Sequence, residues 1–149
     1  MNIEEKINLL YGKDQQKAYK VLQELIALSE KTNELYPFFD RFVEMMEHPN
    51  NAYIRTRGIR LIAYQAKWDQ ENKIEAVIHQ WLTHIEDEKP ITARQCIKDT
   101  VIIDRYKPEL SSMIIDALET YHNIYQNSMQ SLIDKDRQKA IRQIKQFIL

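Results

Sequence analysis

Glycine is almost missing from this chain, with two among 149 residues, alongside four prolines and a single cysteine. So few glycines leave little room for the tight turns that join short β-strands, and they exclude a glycine-rich, phosphate-cradling loop. The lone Cys96 excludes an intramolecular disulfide framework. At a small-residue position of a helix it reads as a buried small hydrophobe. No apolar run approaches the roughly 18 residues needed to cross a bilayer. The opening stretch Met1-Asn2-Ile3-Glu4-Glu5-Lys6 is charged and lacks a signal-peptide core, so a reducing, cytoplasmic setting is expected, with no membrane partner. An excess of charge is missing too: the net charge is −1, giving no global basic field to draw in nucleic acid or anionic lipid. Nucleophile triads, paired carboxylates and cysteine–histidine sets are absent as motifs. The expectation is a protein that is not an enzyme, with no cofactor and no metal site. His79 and His84 are five apart, which separates their rings on a helix, whereas a zinc pair wants four.

What is there is apolar periodicity at i, i+3, i+4 throughout, which predicts an all-α fold. One hexad is written four times: Lys17-Ala18-Tyr19-Lys20-Val21-Leu22, Arg57-Gly58-Ile59-Arg60-Leu61-Ile62, Gln95-Cys96-Ile97-Lys98-Asp99-Thr100 and Lys139-Ala140-Ile141-Arg142-Gln143-Ile144. The steps between copies are 40, 38 and 44 residues, a period that means stacked helical pairs. The boundaries read as pairs over roughly 2–34, 35–70, 71–107 and 108–149 within one domain. Asp14 is the expected N-cap of a helix running to about Thr32, and His48-Pro49-Asn50-Asn51 a turn. A polar break is expected at about Gln126 to Ser128. The third hexad's helix should bury Ile91, Cys96, Ile97, Val101 and one of Ile102 or Ile103. Ala18, Gly58, Cys96 and Ala140 share the small position, where a helix crossing must be close.

With these residues in view, the chain resembles the HEAT-like branch of the α-α superhelical (ARM-type) repeat proteins. The narrower resemblance rests on Lys89-Pro90-Ile91-Thr92-Ala93-Arg94-Gln95-Cys96-Ile97-Lys98 and Tyr106-Lys107-Pro108-Glu109-Leu110. These are similar to small bacterial HEAT-like proteins sometimes labelled SufBD-like. The resemblance implies a right-handed solenoid of about four helical pairs whose second helices line a concave face, and it supplies no catalytic residue.

The sharpest surface feature is a row on the second helix of the second pair: Tyr53, Arg57, Arg60, Tyr64 and Lys67 fall on one face. Lys13, Lys17 and Lys20 extend the idea to the first pair, Arg94, Lys98 and Arg105 to the third, and Lys135, Lys139 and Arg142 to the fourth. The expected function is a non-catalytic module that binds a protein or peptide through this ladder, as a monomer or weak homodimer. The alternative is nucleic-acid binding by the same residues, in the manner of the HEAT-like base-excision enzymes of the DNA alkylation repair type.

Overall fold

A computed structural model of the chain describes residues 1–122, 125 and 128–148. Among these there is no strand. The eight α-helices of the described residues are α1 Ile3–Leu9, α2 Gln15–Lys31, α3 Phe39–Met46, α4 Ala52–Tyr64, α5 Lys73–Leu82, α6 Pro90–Tyr106, α7 Ser111–Thr120 and α8 Met129–Gln146, with short 3-10 turns between several of them. None is long and apolar enough to cross a membrane. Of the expected polar break, Gln126 and Asn127 lie outside the described residues.

Local chemistry sets the helix ends. The Asn2 side chain accepts from Glu5 N and that of Asp14 from Lys17 N, while Asn51 Oδ1 accepts from both Tyr53 N and Ile54 N. Each satisfies donors that a helix N-terminus cannot pair internally. Pro90 occupies the first position of α6, where its missing N–H costs nothing. Asp87 Oδ2 takes the preceding Lys89 N–H at 2.9 Å.

Two compact units result, Met1–Lys73 and Ile74–Leu149. In the first, α1 pairs with α2 and α3 with α4. The apolar stripe of α2 (Ala18, Val21, Leu22, Leu25, Ile26), the run Phe39, Phe42, Met45, Met46 of α3 and Ile59, Leu61 and Ile62 of α4 are all buried, with α2 and α3 both packed on α4. The closest approach is at Gly58. A Cβ there would lie 2.5 Å from Met46 N, 2.6 Å from Phe42 O and 2.8 Å from Met45 Cβ, so only glycine fits. Arg57 Nη2 donates to Gln15 Oε1 at 2.5 Å near the start of α2. Gln65 Nε2 reaches Ser29 Oγ at 3.0 Å, and Trp68 Nε1 reaches Ser29 O at 2.6 Å, near its end. These ties set α2 and α4 side by side in the same direction.

The second unit follows the same plan. Arg94 Nε meets Asp136 Oδ2 at 2.6 Å in the first halves of α6 and α8. At the other end, Asp104 and Arg105 line one depression together with Phe147 and Ile148. Those two helices therefore also run in the same direction. Trp81, Leu82, Cys96, Ile97, Ile103, Ile114, Leu118, Ile133 and Ile144 form the core. The small position of the hexad is buried in all four copies.

The structure differs from the sequence reading at Ile91. It was expected inside and is 71% exposed. Pro90 starts α6 with Ile91 already pointing away from the Ala93–Cys96–Ile97 stripe, so the apolar residue that looks like part of the core lies on the opposite side. Asp99 and Thr100, which break the apolar pattern of the third hexad, are nonetheless buried. Gln95 Nε2 donates to Asp99 Oδ1 at 3.0 Å, and the Thr100 hydroxyl donates to Ile97 O at 2.6 Å. Local hydrogen bonds thus satisfy the Thr100 hydroxyl and one oxygen of Asp99 at a core position.

Candidate functional site

The second helices carry most of the expected site residues, and the structure sorts them into two kinds. On α4, Arg57 is only 6% exposed. Its Nη1 donates to Leu10 O at 2.7 Å in addition to the Gln15 bond, and its guanidinium sits 5.9 Å from the Tyr53 ring centroid. Burial lowers its pKa from the usual arginine value, with Tyr53 opposing. The expectation that Arg57 forms part of an open basic face is corrected: it is an internal donor. The physical reason is the position of α4, covered by α3 on one side and by α2 on another. Only a narrow strip of the helix stays open, and Arg57 lies at its edge. Tyr53 is 61% exposed on that strip, whereas Arg60 and Tyr64 are half-buried and already engaged within the protein.

Several other cations do the same work as Arg57. Arg55 Nη1 donates to His48 O just past α3, and Lys67 Nζ donates to Glu30 O in the last turn of α2. In the second unit, Arg137 donates through Nε (2.8 Å) and Nη2 (2.5 Å) to Leu118 O near the end of α7. Leu10 is itself the C-cap of α1. Helix C-termini leave carbonyls without intrahelical partners and carry the negative end of the helix dipole, so a cation there is favourable. Sequence spacing missed Arg55 and Arg137 because a cation that reaches back to a helix end has the same letter as one that faces solvent.

The remaining expected residues lie on α6 and α8. Arg94 is half-buried and paired to Asp136, and that hydrogen bond is the main cause of its raised pKa. Lys98, Lys139 and Arg142 are exposed, as are Arg105 and Lys135. None of these five has an ion-pair or hydrogen-bond partner for its side chain among the described residues. Exposed Ile91 and Leu132 share these helices. Asp134 and the Asp136–Arg94 pair interrupt the positive charge. In the first unit Lys13, Lys17 and Lys20 are likewise exposed on or beside α2, next to Tyr19, which is 62% exposed.

The other polar groups hold the structure together. The Tyr36 hydroxyl donates to Asp69 Oδ1 at 2.5 Å, and that oxygen also accepts Lys73 N at 2.8 Å. Burial, then the Asp69 bond, pushes the Tyr36 pKa well above its ordinary value. Buried Lys107 is paired to Glu75 at 2.7 Å. His84 Nδ1 lies 3.2 Å from Asp87 Oδ1, while His79 is exposed. Burial raises the Cys96 thiol pKa, so the group stays a neutral thiol. No family model, no curated protein and no solved structure matches the chain.

Proposed function

We propose that the chain is a non-catalytic protein-binding module that receives an acidic, partly apolar peptide segment on the α6–α8 face of its second unit. One observation carries this reading: Lys98, Lys139 and Arg142 are exposed and unpaired among the described residues, whereas the cations of α4 are taken up internally. Unpaired cations beside exposed Ile91 and Leu132 suit a helix or strand with spaced carboxylates and aliphatic side chains. A polyphosphate chain suits the face less well, because Asp134 and Asp136 lie among the cations and aliphatic groups gain nothing from a phosphate backbone. Tyr19 and Tyr53 give the first unit a smaller, flatter contact surface of its own. Within each unit, the parallel second helices are consistent with the HEAT-like arrangement that the sequence resembles. A single buried thiol is consistent with a reducing, cytoplasmic setting.

The test is fluorescence anisotropy with a labelled peptide of Glu and Leu arranged at helical spacing. The wild type should bind it saturably, and the double variant Lys98→Glu/Arg142→Glu should bind at least tenfold more weakly with unchanged helical circular dichroism. Equal binding by the double variant would overturn the reading. So would tighter binding of a labelled DNA duplex with a log–log salt slope near −0.9 per phosphate contact, which would put nucleic acid in the peptide's place.

A further inference from the structure

A second feature of the second unit points to a ligand of the opposite charge. An open depression of about 710 Å³ lies where α6 ends and α7 begins. Its buried lining residues, Asp104 and Ser111, form the floor. Ile115, Phe147 and Ile148 supply an apolar wall, with Phe147 68% and Ile148 57% exposed. Asp104 is 3% exposed. One of its oxygens, Oδ1, accepts the Ser111 hydroxyl, and Oδ2 has no donor and no cation among the described residues. Lys107, a turn away, is already held by Glu75. A carboxylate in this position has lost much of its water without gaining a counter-charge. Burial accordingly raises the Asp104 pKa, and the Ser111 hydrogen bond only partly opposes it.

We propose that this depression is a binding site for a primary ammonium carried on an apolar chain. The ammonium, a compact head with three donors, sits on the free oxygen of Asp104 and on Ser111 Oγ. The chain lies along Ile115, Phe147 and Ile148. Glu109 and Arg105, both exposed at the rim, offset each other, so the charge at the floor is that of Asp104. Both a lysine side chain of a peptide and a free alkylamine have this chemistry. The site shares no residue with Lys98, Lys139 and Arg142, so its failure would leave the peptide-binding reading intact, and the reverse also holds.

The experiment follows backbone amide shifts of Ser111 and Ser112 in the isotopically labelled full chain. Hexylammonium is titrated in, with acetyl-lysine methylamide as the arm that separates a peptide source from a free amine. Hexanol and hexanoate serve as controls. Hexylammonium should give saturable shifts, and Asp104→Asn should weaken it at least tenfold. Asparagine keeps a partner for Ser111 and removes a charge that burial disfavours, so this variant should fold. Phe147→Ala, at an exposed position, should weaken hexylammonium several-fold without touching the core. Tighter binding of the lysine derivative would assign the site to a peptide, and tighter binding of hexylammonium to a free amine. Saturable binding of hexanoate or hexanol as tight as that of hexylammonium would overturn the proposal. So would an unchanged affinity in Asp104→Asn, or no shift with any amine.

Discussion

Helices α4 and α8 carry the same hexad, yet their cations have opposite roles. On α4, Arg57 and Arg55 turn inward to the carbonyls of Leu10 and His48. On α8, only Arg137 does so, at Leu118 O, while Lys139 and Arg142 stay in solvent. The difference comes from enclosure. Helix α4 is buried around most of its circumference: α3 closes on Gly58, and Leu10 and Gln15 take up Arg57 at the edge of the open strip. Helix α8 has one buried stripe, Ile133, Ala140, Ile141 and Ile144, and its opposite face is free. A cation's role is therefore set by how many neighbours its helix has, more than by its place in a repeat.

The comparison breaks first at Gly58. Gly58→Ala adds a methyl within 2.6 Å of two backbone atoms, so it should cost about 3 kcal/mol or more despite alanine's better helix propensity. For a chain of this size that is a melting-temperature loss of roughly 6–12 °C. Gly58→Leu should be worse still. A melt equal to the wild type would mean that α4 is not tightly enclosed. Next comes Arg57→Met, which leaves Leu10 O without its donor and removes a buried anchor, and should cost about 2–4 kcal/mol. Lys98→Met and Arg142→Met, by contrast, should change stability by about 0.5 kcal/mol or less. Denaturant midpoints of the three single variants would measure this contrast.

Two smaller effects depend on pH. The raised Tyr36 pKa means that the folded state keeps its proton while the unfolded chain ionises near 10.0. Stability from this group is whole below that value and falls as pH rises above it. Tyr36→Phe should therefore be the less stable protein at neutral pH and should lose less of its melting temperature between pH 9 and pH 11. Asp104 is also raised above its ordinary 3.8. Its contribution is present below that pH and is lost as pH climbs through the folded value. Asp104→Asn should thus be as stable as the wild type, or slightly more so, at neutral pH, and the gap should close in acid. A wild type clearly more stable than Asp104→Asn at pH 7 would show that Asp104 has a stabilising counter-charge.

Much of this was legible in the sequence. The all-α class, the cap at Asp14 and the buried small position of the hexad follow from periodicity and local hydrogen bonding, which a linear reading captures. Gly58 was identifiable because glycine in a helix interior needs a reason, and a backbone 2.5 Å from its missing Cβ supplies one. Ile91 and Arg57 were misplaced for a shared cause. Both lie on the correct helix, but which side a helix buries depends on the neighbours it acquires, and these come from distant parts of the chain. The open oxygen of Asp104 had no signal at all, since an aspartate near a helix end is ordinary in any sequence.

The most direct test of this division of labour is one matched titration. The labelled Glu/Leu peptide is added to the wild type, to Arg57→Met and to Lys98→Glu/Arg142→Glu, at a temperature where all three are folded. Arg57→Met should bind like the wild type although it melts lower, and the double charge reversal should lose at least tenfold in affinity while melting like the wild type. Loss of binding in folded Arg57→Met, or full binding by the double reversal, would contradict it.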